Sequence, residues 1–167
     1  AHRYLVSFMR AGFVAQDART GRYDLGAELV RAGLAALGRV DAMDVAMDAM
    51  ERIVDETGHS GHVVLWADAG PTIVRWFHGR HAVRTSLAAG STLPLLTSAT
   101  GRIFLAFLPP RQTAALAAIE VEAGAADPAG LTDRVRADGL AEASGDHIPG
   151  LAAIAAPVLD VFGEAAS

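Results

Sequence analysis

The hydrophobic period of this chain changes within a few residues, and that change sets what it can fold into. Over residues 41–55 apolar Met43, Met47, Met50 and Val54 recur at helical spacing, with Asp44, Asp48, Glu51, Arg52 and Asp55 on the other face. Asp41 suits the cap of that helix and Gly58 its stop. From His62 onward the pattern is that of strands. Residues 62–67 and 72–77 are rich in β-branched and aromatic side chains, and Asp68-Ala69-Gly70-Pro71 between them has hairpin chemistry. A third strand is expected over residues 81–87, after the Gly79 turn. Helix, sheet and further helices in mixed order predict the α+β class.

The flanks extend this reading. Tyr4, Leu5, Phe8 and Met9 share a helix face that Gly12 ends. Extended runs at 13–16 and 22–25 are joined by Asp17-Ala18-Arg19-Thr20-Gly21, so a β-hairpin follows the helix. Gly26 opens a second helix carrying Leu29, Val30, Gly33, Leu34 and Leu37 on one face. Later, Thr97 or Ser98 suits the N-cap of a helix running to Leu108. Pro109-Pro110 ends it and starts another over 111–121. A loop at 123–130 leads to a short helix at 132–138, stopped by Gly139, and strands are expected at 140–143 and 151–159. Ala1 lies inside a helical pattern, so the sequence is expected to be a fragment of a longer chain.

Composition narrows the chemistry. The 167 residues include no cysteine, no lysine and no asparagine, and all 14 basic residues are arginine. Disulfides, thiolate nucleophiles, zinc sites that need sulfur, Schiff bases and phosphate-loop lysines are therefore excluded. No apolar run reaches the roughly 18 residues of a membrane span, and the first residues lack a secretory core. A soluble, cytoplasmic protein with no membrane partner is expected. The net charge of −5 is unevenly spread: residues 1–39 hold six arginines against three acids, or +3, and the remainder eight against sixteen, or −8. A basic end on an acidic body fits a nucleic-acid-contacting arm, or scattered solvated arginines on a helix and hairpin.

Catalytic constellations are absent. The pairs His59/His62 and His78/His81 have chelate spacing, but no helical H-E-x-x-H pattern or third cluster accompanies them, so no metal is expected. Neither a nucleophile elbow, nor G-x-G-x-x-G, nor a phosphate loop occurs. Asp146-His147 fits an acid/base dyad or an ordinary polar turn, with no nucleophile placed near it. Ser98-Ala99-Thr100-Gly101 says more: small residues at a helix start leave backbone N–H groups open to an anion, although plain capping explains them too.

Taken together, the segments resemble the IclR family of bacterial transcription regulators. The resemblance is carried by Arg3-Tyr4-Leu5 with Ala11-Gly12-Phe13-Val14; Thr20-Gly21-Arg22-Tyr23 with Leu25-Gly26; Glu56-Thr57-Gly58; and Leu93-Pro94-Leu95. It continues through Ser98-Ala99-Thr100-Gly101-Arg102 with Phe104-Leu105-Ala106, and Gly150-Leu151 with Ala155-Ala156-Pro157-Val158. These stretches cover almost the whole chain, in order. The resemblance implies a partial winged helix-turn-helix at 1–26 (the end of the recognition helix and the wing), a linker helix at 27–38, and a GAF-like effector-binding domain with an antiparallel sheet and flanking helices at 39–167. By the same analogy, a further strand and helix are expected after Ser167.

The resemblance also implies roles. Arg3, Arg19 and Arg22 become candidates for contacts with promoter DNA. Ala99 and Thr100 match the turn that holds a ligand carboxylate, and Leu93, Thr85, Ala82 and Leu151 match wall positions. Polar wall positions of members that bind small keto acids appear here as Ala143 and Ala153, so a roomier, more apolar pocket is expected. Trp76 and His78 are further candidates for its lining. The implied function is a dimeric or tetrameric DNA-binding regulator that senses an aromatic or longer-chain carboxylate and uses no cofactor. Effector binding would shift the DNA-binding parts through the linker helix. A GAF-like sensor acting through protein association, and an enzyme, remain as alternatives.

Overall fold

The computed structural model describes residues 2–37, 41–81, 83, 85–126 and 128–159. The chain forms two compact units, residues 1–44 and 45–167.

In the first unit, α1 (His2–Arg10) leads into β1 (Val14–Gln16) and β2 (Tyr23–Leu25), an antiparallel hairpin in which Ala15 faces Asp24, and α2 (Ala27–Leu37) follows. Gly12 takes φ +75°, in the left-handed region that favours glycine. The Phe13 N–H then bonds back to the Phe8 carbonyl, and the Gly26 N–H to Phe13. A side chain at Gly26 would run into the Gly12 carbonyl. Two glycines therefore let helix, hairpin and second helix turn in a short span. At the hairpin tip the Asp17 carboxylate accepts the N–H groups of Arg19 and Thr20, which holds its pKa below the usual carboxylate value.

The second unit holds most of α3 (Ala42–Thr57), whose first turn the Asp41 side chain caps through the Met43 N–H. Its stripe reaches the sheet: the space above Gly61 is filled by Met50 and Val54. β3 (Gly61–Ala67) and β4 (Gly70–Phe77) form an antiparallel hairpin. Then come α4 (Ala99–Phe107), α5 (Pro110–Glu122), α6 (Leu131–Asp138) and the hairpin of β5 (Ala141–Ser144) with β6 (Ala152–Ala155). Among the described residues this gives six helices and three two-stranded sheets, the α+β class read from the sequence.

Helix α4 is the centre of the second unit. Phe104 and Leu108 pack with Leu95, Leu96, Val64, Trp66 and Leu116, while Ile103 and Ala106 pack with Val135, Ala141 and Leu131. Each fully buried Leu, Ile or Phe contributes about 1.5–3 kcal/mol of transfer free energy, so these two clusters fix the helix on both sides. Arg136 adds a tie, its Nε donating to the Ala106 carbonyl at 2.6 Å.

Two strand expectations need correction. The described residues of 81–87 are not a strand; residues 90–93 run along β4 instead. Ile73 exchanges backbone bonds with Gly90 and Ser91, and Leu93 donates to Pro71. Thr85 and Ser91 hydroxyls accept the Leu87 and Ala88 N–H groups, local bonds that favour turns over a ladder. The expected strand 151–159 forms a continuous ladder over Ala152–Ala155, stopping just ahead of Pro157, which lacks the N–H a ladder needs, and beyond it Leu159 makes an isolated bridge.

Candidate functional site

The start of α4 is held from three directions. The Ser98 hydroxyl accepts the Gly101 N–H at 2.9 Å and donates to the Pro94 carbonyl at 2.6 Å, so Ser98 rather than Thr97 is the cap. The carboxylate of Glu120, on α5, accepts the N–H groups of Leu95 and Leu96 at 2.6 and 2.8 Å. Arg102 donates from Nε to the Leu96 carbonyl at 2.9 Å. Gly101 is tight against this segment, and a Cβ there would strike the Pro94 carbonyl and the Leu95 backbone. Ala99 and Thr100 are the first two residues of the helix, where backbone N–H groups have no partner within it. Among the described residues neither N–H donates to another group.

A small, partly open cleft with a cavity volume of about 50 Å³ lies at this helix start. Six of the residues singled out in the sequence line it: Leu93, Ala99, Thr100, Ala143, Leu151 and Ala153. Segments before α4, in β5 and in β6 thus converge on one place. Trp76 does not line the cleft; it stacks on His62, which does, with ring centroids 5.3 Å apart and planes 16° apart. Thr85 is also off the wall, and its hydroxyl holds the N–H of Leu87, a wall residue. His78 is exposed, 6.3 Å from the Trp76 ring. Ala82 lies outside the described residues.

Sequence reasoning missed His62, Leu87, Ser98, Gly145, Asp146, His147 and Ile148 as wall residues. The signal for several was present but was weighed for other roles: the spacing of His62 from His59 for a chelate that was not expected, Asp146-His147 for a dyad or a polar turn, Ser98 for a cap. In the structure His59 faces His81 instead, with ring centroids 5.0 Å apart. Among the described residues no group of three metal-binding side chains forms.

A register shift explains how His62 and Trp76 come together. Val64 pairs with Ile73 but Val63 pairs with Arg75, so Val74 is the extra residue of a bulge on β4. Directly opposed residues project to the same face. His62 pairs with Trp76 and Val64 with Ile73, so the bulge brings Ile73 and Trp76 to the face of His62, Val64 and Trp66. Without it Trp76, three residues from Ile73, would point away. The His62 Nε2 lies 3.5 Å from the Thr100 hydroxyl, and burial lowers the imidazole pKa. The resulting site combines two free N–H donors, a hydroxyl, a neutral imidazole and walls of leucine, isoleucine and alanine. Donors at a helix start beside apolar walls have the chemistry to take an organic anion.

In the first unit, Arg3 lies on α1, and Arg19 and Arg22 lie at the tip of the β1–β2 hairpin. All three are exposed. Among the described residues no helix is long and apolar enough to cross a membrane.

Comparison with known proteins places these observations. Residues 34–167 match the family model of the bacterial transcriptional regulator IclR C-terminal domain. The chain is 31% identical to the glycerol operon regulatory protein of Streptomyces coelicolor, over 96% of this chain and 65% of that protein. It is 27% identical to the HTH-type transcriptional regulator KdgR of Escherichia coli, over 97% of this chain and 65% of that protein. The crystal structure of Pseudomonas aeruginosa HmgR superposes with a TM-score of 0.86 at 39% identity, covering 99% of this chain and 68% of that one. The chain therefore spans about 65% of the length of the relatives it matches. Those relatives are named as regulators rather than enzymes, and the enzyme alternative is set aside on that ground. The chain belongs to the IclR family of bacterial transcriptional regulators.

Proposed function

We propose that this chain is the sensing part of a DNA-binding transcriptional regulator, and that the cleft at the start of α4 holds a small organic carboxylate as its effector. The observation that carries the proposal is the convergence of Leu93, Ala143, Leu151 and Ala153 on two unpartnered backbone N–H groups at Ala99 and Thr100. A carboxylate there satisfies both donors and sits at the positive end of the helix. Ala143 and Ala153 leave that wall apolar, so an aromatic or longer-chain acid fits better than a two- or three-carbon acid. In this reading residues 1–26 are the end of a winged helix with Arg3, Arg19 and Arg22 facing promoter DNA, residues 27–38 a linker, and residues 39–167 the sensor of a homodimer or tetramer.

Calorimetry tests the ligand class: phenylacetate and octanoate are expected to bind more tightly than glyoxylate and pyruvate, and the reverse order overturns it. A gel shift of the full-length protein on its own promoter, with salt and phenylacetate titrated, tests the output. A steep loss of complex with salt and a change on adding the acid are expected. No retardation at low salt would instead favour a sensor that acts through protein association.

A further inference from the structure

We propose that His62 makes this cleft selective for acids bearing a hydroxyl on the carbon next to the carboxylate. The inference rests on the effector reading above and adds the residue that discriminates among carboxylates. The imidazole plane is set by Trp76, whose ring is 5.3 Å away and nearly parallel. Its Nε2 stands 3.5 Å from the Thr100 hydroxyl, the long limit of a hydrogen bond, so the two groups do not saturate each other. Thr100 is also one of the two residues whose N–H groups meet the carboxylate. A ligand atom that reaches both His62 Nε2 and the Thr100 hydroxyl is therefore one or two bonds from the carboxylate carbon, which is the place of a 2-substituent.

The chemistry of the pair selects the substituent. A neutral imidazole and a hydroxyl can each donate and accept, and a ligand hydroxyl donates to one while accepting from the other. A 2-amino group would need an acid, but the carboxylate lining the cleft, Asp146, is already paired with Arg102 at 2.6 Å. A keto oxygen only accepts, so it fits only the tautomer that carries the proton on Nε2, whereas a hydroxyl fits either tautomer. A hydrocarbon at this position offers neither group a partner, while the apolar wall residues Leu93 and Leu151 meet the rest of the ligand.

Calorimetry of the full chain with mandelate, phenylacetate and phenylglyoxylate tests the inference, since these share a phenyl ring and a carboxylate and differ at one carbon. Mandelate is expected to bind about tenfold more tightly than either of the others. His62→Phe keeps the stack on Trp76 and removes the ring nitrogens; there the preference for mandelate over the other two acids is expected to fall to within about twofold. Thr100→Val removes the other partner at similar volume and is expected to do the same, so a failure of one variant to fold leaves the other to decide. Equal affinities in the unaltered protein, or a preference that survives in both variants, overturn the inference and leave the carboxylate reading standing. Mandelate and phenylglyoxylate binding equally overturn the hydroxyl assignment. No binding of any of the three acids overturns the carboxylate reading and this inference with it.

Discussion

Arg102 and Asp146 meet at 2.6 Å, joining the first turn of α4 to the turn between β5 and β6. The same guanidinium also donates to the carbonyls of Leu96 and Glu142. One side chain thus ties three segments around the cleft, and only one of its three partners is an ion.

That division predicts unequal costs. The Asp146 side chain is 44% exposed, so water screens the ion pair, and Asp146→Asn is expected to cost under about 1 kcal/mol. Arg102→Ala also strands two backbone carbonyls and is expected to cost about 2–3 kcal/mol. Urea unfolding of the two variants measures both, and equal losses would show that the ion pair outweighs the backbone bonds.

Gly101→Ala reverses an ordinary sign. Within a helix, alanine is favoured over glycine by about 1 kcal/mol. Here the added Cβ meets backbone at Pro94 and Leu95, which cannot swing aside, so a loss of about 2–4 kcal/mol is expected. Ser98→Ala removes the cap and is expected to cost about 1–2 kcal/mol. Thermal unfolding checks both; a stabilised Gly101→Ala would mean the helix start is not pressed against that segment.

Glu120 predicts a graded series. Its two oxygens accept separate N–H groups, those of Leu95 and Leu96. Glu120→Gln keeps one acceptor and is expected to cost about 1–2 kcal/mol, and Glu120→Ala about 2–4 kcal/mol. Hydrogen exchange should quicken at one of the two amides in the first variant and at both in the second. Unchanged exchange at both in Glu120→Ala would show that other contacts hold this segment.

His62 gives the pH response. Its folded-state pKa lies below the ordinary imidazole value because of burial, so the unfolded chain binds the proton more readily. Its contribution to stability is whole above the unfolded value of about 6.5 and is lost as pH falls toward the folded one. Asp17 is depressed too, but as a carboxylate its loss comes at lower pH, below about 4. Melting temperatures measured from about pH 7.5 to 5 should therefore fall less in His62→Gln than in the unaltered protein. Parallel curves would assign the slope elsewhere.

The helices were legible because their signals are local. The stripe Met43, Met47, Met50 and Val54, the cap at Ser98 and the stop at Gly139 each lie within a turn or two of what they control, and α3, α4 and α6 form there. The strand expected at 81–87 failed for the complementary reason. Which segment borders β4 depends on backbone bonds across the chain, and Ser91 and Leu93 made them where β propensity had favoured the earlier run. Leu93, Thr100 and Leu151 were reachable through family likeness, whereas His62 drew notice only for its spacing from His59, which carried no expected ligand role.

The sequence by itself determined the class of the fold, the uneven charge and the chemistry excluded by missing cysteine and lysine, since periodicity and composition need no partner to be expressed. Tertiary structure alone decided the cleft. A single extra residue, Val74, shifts the register of β4 and brings Trp76 onto the face of His62, while Glu120 and Arg102 fix the segment ahead of Ala99 from 24 residues downstream and from within α4. Register and long-range hydrogen bonds are set by which backbones meet, and no window along the chain contains both sides of those meetings.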